Sequence, residues 1–327
     1  ERVAAAFLAA CDHILLDQAP ARYRRPAIEA LPMRLVEAGA VSDAELMAIA
    51  DAMDRSIAPE NPKILIDISE LSARDLRTGI QRVTRAIVSE WTSKPPAGYG
   101  LQLVRIDRDA GRYVCANRYA STLLGKDLGE DEPLVCHAGD IFLGLDLVGD
   151  CVSLLPEWFD YFRATGVKVC FVIYDILPIR HPEWWPQPGG QMHERWLRDI
   201  VRVSDQLVCI SRAVADDVAA WIDENEVQNH AEISWFHLGA DLDGSQPSRG
   251  IPDGAQPILD KIRRSTSFLM VGTLEPRKGH AQVLDAFEKL WEQGLDFVLV
   301  IVGKNGWLVD DLSERLSMHP QASRNLF

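Results

Sequence analysis

From residue 63 onward the chain repeats one pattern: a short run rich in Val, Ile and Leu, a polar loop, then a stretch with apolar residues at spacings of three and four. The runs fall at 63–68, 101–106, 140–145, 167–174, 206–210 and 232–237. Several are almost continuously apolar. That suits strands covered on both faces, and their alternation with helical stretches suits parallel pairing through crossovers. The pattern recurs later, with a strand at 267–271, a helix near 280–293 and a strand at 297–302. Val283, Leu284, Phe287, Leu290 and Trp291 supply that helix's apolar face. The fold class read from this pattern is α/β, in two halves.

Between the halves, residues 243–257 (DGSQPSRGIPDGAQP) are rich in Gly, Pro and Ser and read as a linker. Residues 1–60 read as helical. Ser42 and Glu45 have capping-box spacing ahead of Leu46, Ile49 and Met53, and Pro59 and Pro62 break the pattern. The expected division is a helical segment at 1–60, a first α/β domain at 61–245 and a second, partial one at 246–327.

At 327 residues and 47% hydrophobic content, the chain can bury more than one core. Its 48 acidic residues outnumber 34 basic ones, for a net charge of −14 without a long Lys/Arg run, so nucleic acid is not the expected partner. The cysteines (Cys11, Cys115, Cys136, Cys151, Cys170, Cys209) form no CxxC pair and read as small buried hydrophobes in a reducing compartment. No apolar run is long enough to span a bilayer. The start ERVAAAFLAACDHILL reads as an amphipathic helix rather than a signal peptide, given Glu1, Asp12 and no small-residue cleavage site. A chain without an initiator Met and with an abrupt end reads as cut from something longer.

Open α/β sheets hold ligands at strand ends, and three loops there carry chemistry. After 267–271, Gly272, Thr273, Arg277, Lys278 and Gly279 precede a helix. Glycines allow close backbone approach, helix-start amides attract anions, and Arg and Lys add charge, so the loop suits a phosphorylated ligand. The alternative is an ordinary surface loop with a solvated basic pair. After 63–68, Thr78 and Gln81 have capping-box spacing around Gly79, with Ile80, Val83 and Ile87 forming a stripe. This is either a helix start facing a phosphate or sugar, or a plain capped helix. After 167–174, Asp175 can orient a hydroxyl at the strand edge. Trp184 and Trp185 offer flat surface to a sugar ring or lipid, or else pack on the domain.

Other signals are structural. Asp241 and Asp243 read as turn chemistry at the linker, Ser211 as a helix N-cap, and His137, His181, His193 and His237 lack metal-ligand spacing. There is no Gly-x-Ser-x-Gly elbow, no P-loop, and no Gly-x-Gly-x-x-Gly after the first strand.

Taken in order, Ile66-Asp67-Ile68-Ser69-Glu70 with Thr78-Gly79-Ile80-Gln81-Arg82-Val83, Tyr174-Asp175-Ile176-Leu177-Pro178, Cys209-Ile210-Ser211-Arg212, Val271-Gly272-Thr273-Leu274-Glu275-Pro276-Arg277-Lys278-Gly279 and Val302-Gly303-Lys304-Asn305-Gly306-Trp307 resemble the landmarks of the group 1 glycosyltransferases. That family is retaining, metal-independent and of the GT-B fold, two Rossmann-like doubly wound parallel-sheet domains, and it is frequent in bacterial polysaccharide and O-antigen assembly. The resemblance covers about residues 61–327. It implies that Arg277 and Lys278 bind a donor diphosphate together with Gly272 and Thr273. Gly79 would approach the donor phosphate, and Gly303, Lys304, Gly306 and Trp307 would lie near the nucleotide. Asp175 matches the family pattern, whereas Tyr174 stands where many relatives carry a His. Two glutamates seven residues apart are expected beyond residue 327, so the second domain reads as incomplete.

The function the resemblance implies is transfer of a hexose, with mannose one candidate, from a nucleotide diphosphate sugar to a glycan or lipid-linked acceptor held near Asp175, Trp184 and Trp185. No cofactor beyond that donor is expected. The enzyme would be cytoplasmic, with peripheral attachment at the inner membrane left open. A GT-B nucleotide-sugar epimerase and a non-catalytic scaffold of a polysaccharide assembly complex are the alternatives.

Overall fold

The computed structural model describes residues 61–76, 78–239, 251 and 253–327, with Met47 and Pro59 besides. The expectations for the 1–60 segment, Cys11, Asp241, Asp243 and most of the 243–257 linker lie outside the described residues. Contacts divide the described chain into two compact units, one of residues 61–176 and 194–239, the other of Leu177–His193 and residues 251–327.

The first unit is built on one sheet. Its strands are β1 (Lys63–Asp67), β2 (Gly100–Asp107), β3 (Arg112–Cys115), β4 (Glu132–Pro133), β5 (Ile141–Gly144), β6 (Lys168–Ile173), β7 (Gln206–Cys209) and β8 (Glu232–Trp235), in the spatial order β4-β3-β2-β1-β5-β6-β7-β8. From β2 to β8 every pair is parallel. β3 and β4 are added antiparallel at one edge, so the sheet is mixed rather than wholly parallel as the sequence pattern suggests. Before β6 the helices are α1 (Ser69–Ala73), α2 (Gly79–Ser93), α3 (Asn117–Leu124), α4 (Cys151–Leu154) and α5 (Pro156–Thr165). β1 connects onward to β2 on one side and pairs with β5 on the other. That reversal of strand order is the switch point at which such sheets open a crevice.

Both faces of this sheet are covered, which explains its unbroken apolar strands. On one face Ile64, Ile66, Leu143 and Val172 pack with Ile87, Val88 and Trp91 of α2. On the other, Tyr113, Phe142, Phe159, Phe162 and Phe171 are fully buried, and the Phe142 and Phe162 rings stack 5.0 Å apart. Cys136, Cys151, Cys170 and Cys209 are buried thiols, as expected of small core hydrophobes, while Cys115 is half-buried.

The second unit begins where the chain leaves β6. It contains α6 (Leu177–Arg180), a 3₁₀ turn at Pro182–Trp184 and the start of α7 (Gly189–Val203), whose later turns belong to the first unit. Next, α8 (Arg212–Glu224) in the first unit opens on Ser211, whose hydroxyl accepts from the Val214 amide at 3.2 Å, the N-cap read from the sequence. The second unit resumes with α9 (Gln256–Arg264), β9 (Ser267–Val271), a 3₁₀ turn at Pro276–Lys278, α10 (His280–Glu292), β10 (Val298–Val302) and α11 (Asp310–Ser317). β9 and β10 pair in parallel. On its other side β10 meets residues 325–327, through Leu299 N–H to the Asn325 carbonyl at 2.8 Å and Ile301 N–H to the Phe327 carbonyl at 2.7 Å. Leu284, Phe287, Leu299 and Leu326 form the core there.

One expectation about this unit is corrected. β9 is parallel but not buried: Phe268, Leu269 and Val271 are 46%, 67% and 69% exposed. The cause is position, because β10 has neighbours on both sides while β9 is paired only with β10 among the described residues.

Candidate functional site

In the first unit, the segment from β1 to α2 leads away from the switch point. Thr78 caps α2 as its spacing predicts: the hydroxyl accepts from the Gln81 amide at 3.2 Å, while the Gln81 side-chain oxygen accepts from the Thr78 amide at 3.4 Å. Gln81 does more than a capping box requires. It is buried, takes the Leu76 amide at 2.8 Å and donates its Nε2 to the Arg74 carbonyl at 2.7 Å, holding the loop before the helix. Gly79 opens the helix with no atom within 4 Å of where a Cβ would stand. The protein's own packing therefore does not require a glycine there.

At the root of this loop sits a buried carboxylate. Asp67 accepts from the Ser69 amide at 2.9 Å and the Ser69 hydroxyl at 2.5 Å, and from the Tyr113 hydroxyl at 3.1 Å. Burial, only partly countered by the Ser69 hydrogen bonds, pushes its carboxyl up to about 7. Tyr174, at the end of β6, is a core residue whose hydroxyl donates to the Leu145 carbonyl at 2.9 Å, and burial raises its phenol. Asp175, the next residue, is half-buried.

In the second unit the loop after β9 is organised by a residue the sequence reading quoted but did not use. Glu275 is only 3% exposed, and one of its oxygens meets Arg277 at 2.9 Å and Lys278 at 3.9 Å. One buried carboxylate thus faces two cations, leaving a local excess of positive charge. His280, at the first turn of α10, is buried, and neither ring nitrogen has a protein partner. Burial lowers its pKa, which Glu275 partly opposes and Lys278 slightly reinforces. The spacing of an acid beside the basic pair was the signal available for Glu275; nothing local marks His280.

The loop after β10 lies against the loop after β9. The Gly272 amide donates to the Val302 carbonyl at 2.9 Å, Leu274 to Lys304 at 3.0 Å, and Gly306 to Leu274 at 3.0 Å. This close approach needs glycine: a Cβ on Gly303 would stand 1.9 Å from the Gly272 oxygen, and one on Gly306 2.5 Å from the Leu274 oxygen. Gly272, Thr273, Gly303 and Lys304 are therefore brought together with Arg277 and Lys278. Gly279, left-handed at φ 75°, turns the chain into α10.

Trp184 and Trp185, assigned by sequence division to the first domain, cluster with this second unit. The Trp307 indole N–H donates to the Trp184 carbonyl at 2.8 Å, the Trp185 and Trp307 rings lie 6.3 Å apart, and the Arg277 guanidinium lies over the Trp185 ring at 5.8 Å.

Fold and loops define the class as α/β with Rossmann-like strand–helix units, consistent with the GT-B type. The chain matches the sequence model of the group 1 glycosyl transferases over residues 257–320, in the second unit. It is also similar to proteins from Escherichia coli named serotype-specific mannosyltransferase WbdA, at 43% identity over 293 residues for two of them and 42% for a third. The alignment covers 88% of this chain but 35% of the first relative, so the chain spans about a third of the length of these curated relatives.

Proposed function

We propose that the chain belongs to a retaining glycosyltransferase that moves a hexose, most simply mannose, from a nucleotide diphosphate sugar to a growing glycan or lipid-linked acceptor. The observation that carries this reading is the loop after β9, where Arg277 and Lys278 share the single buried carboxylate of Glu275. When the bond between the sugar's anomeric carbon and the diphosphate breaks, negative charge builds on the departing phosphate. Fixed cations in a preorganised loop stabilise that charge without reorganising.

In this reading Gly272, Thr273, Gly303, Lys304 and Trp307 complete the nucleotide-side surface, and Gly79, in the first unit, presents an open helix start to a phosphate. The acceptor hydroxyl attacks the face the diphosphate leaves and passes its proton to the leaving oxygen, so configuration is retained. Asp175 orients an acceptor or donor hydroxyl, while Tyr174 shapes the strand end from within the core. Among the described residues no helix is long and apolar enough to cross a membrane. The nucleotide donor suits work on the cytoplasmic side, with any membrane contact peripheral.

Transfer from a panel of GDP-, UDP- and ADP-sugars by the full-length protein tests the proposal. We expect one nucleotide class to be used and the Arg277→Ala/Lys278→Ala variant to lose about a hundredfold or more in kcat/KM. No turnover of any donor, or undiminished turnover by that variant, sinks it. Alteration of the donor sugar without acceptor would indicate epimerisation instead.

A further inference from the structure

The aromatic residues of the 177–193 segment make a contact that the acceptor-side reading does not use. His181 stacks on Trp184 with ring centroids 3.9 Å apart at 14°, and Trp184 neighbours Trp185 at 6.4 Å. Trp185 in turn neighbours Trp307, whose indole N–H is tied to the Trp184 carbonyl. The row ends beneath Arg277, whose guanidinium carbon lies 5.8 Å from the Trp185 ring centroid, within cation–π range.

Arg277 has few other restraints. Among the described residues its ion pair is the 2.9 Å contact of one terminal nitrogen with Glu275, and its Nε is buried without a hydrogen-bond partner. A single contact at one nitrogen leaves a long side chain free to rotate about it. A ring face adds a second restraint of a different kind, because it engages the π-face of the guanidinium and leaves the N–H donors at its edge available to phosphate oxygens. Glu275 could not supply this, since a second carboxylate contact would consume those donors.

We propose that Trp185 is a positioning residue for the donor site: it holds the Arg277 guanidinium in place for a diphosphate, and the 177–193 segment thereby belongs to the donor surface. The inference rests on the donor-site reading above and is separable from it. Trp185 also neighbours Trp307, but among the described residues its contact with the basic pair is with Arg277 and not with Lys278, so a loss that runs through the pair depends on Arg277.

Isothermal titration of the full-length protein with GDP, UDP and ADP tests this, using Trp185→Leu, Trp185→Phe, Arg277→Ala, Lys278→Ala and the Trp185→Leu doubles with each basic-residue variant. Trp185→Leu is expected to weaken the preferred nucleotide about fivefold, and Trp185→Phe to recover most of the loss. The Trp185→Leu loss should vanish in the Arg277→Ala background and persist in full in the Lys278→Ala background. A Trp185→Leu variant that binds like wild type while Arg277→Ala is weakened overturns the positioning role alone, as does an equal loss in both backgrounds or a failure of Trp185→Phe to recover. Absence of nucleotide binding by wild type, or unimpaired binding by Arg277→Ala, overturns the donor-site reading and the inference with it.

Discussion

Two carboxylates, one closing β1 and one in the loop after β9, are almost equally buried, yet their surroundings differ. Asp67 closes β1 at 1% exposure and meets only neutral donors, Ser69 and Tyr113, with no ion pair among the described residues. Glu275 follows β9 at 3% exposure and meets Arg277 and Lys278. The first arrangement satisfies itself and favours a protonated acid. The second sets one carboxylate against two basic side chains. A loop that only has to hold its shape can resemble the first, whereas a loop that must present positive charge to a ligand resembles the second.

The sharpest way to break the comparison is to disturb the backbone approach that only the second loop makes. Gly303→Ala would drive a Cβ to 1.9 Å from the Gly272 oxygen, so the two loops must separate. We expect a loss of about 2–3 kcal/mol in stability, read as a lower unfolding midpoint, together with loss of nucleotide binding. Unchanged binding in a folded Gly303→Ala protein would mean that the loop pairing does not build the site. Glu275→Gln comes next. It leaves Arg277 and Lys278 facing a neutral group, but both are partly exposed, so we expect only about 1–2 kcal/mol. Urea unfolding of wild type and variant measures it.

Asp67 gives the pH counterpart. Burial raises its carboxyl from 3.8 to about 7, so the folded state holds a proton that the unfolded chain releases. Its contribution to stability is fully present below 3.8 and is lost as the pH rises through about 7. Asp67→Asn keeps an acceptor for Ser69 and can donate to the Tyr113 oxygen, so at about pH 8 the variant should be more stable than wild type by ~1 kcal/mol. The advantage should fade at acid pH. Asp140 and Asp146, also raised by burial, supply the pH dependence that remains. An identical pH profile for wild type and variant would show that Asp67 does not titrate in this range.

What the sequence disclosed follows the range of the interactions involved. The Thr78–Gln81 box, the Ser211 cap and the start of α10 at His280 depend on residues within one helical turn, and all are found where their spacing places them. β3 escaped notice because its four residues, Arg112–Cys115, are too few to establish alternation, and it joins the sheet antiparallel at its edge. The exposure of β9 was equally hidden, since composition marks a strand but does not count its neighbours. The Trp185–Arg277 contact joins distant parts of the chain, so a tryptophan whose sequence left surface for a sugar or lipid and packing on the domain both open is found against a basic residue of the second unit. The basic pair itself was legible and the acid beside it had a local signal, but the aromatic ring against Arg277 had none.

The smallest expected effect separates structure from ligand most cleanly. At Gly79 an added Cβ meets nothing within 4 Å, and replacing glycine in a helical first turn with alanine removes chain entropy from the unfolded state. Gly79→Ala should therefore match wild type or gain ~0.5 kcal/mol in stability. If the space above Gly79 is reserved for a donor phosphate, the same variant must lose donor turnover despite its intact fold, raising KM for the nucleotide sugar while leaving the acceptor KM unchanged. If turnover survives with the stability gain, the β1–α2 loop is a capped helix start and nothing more.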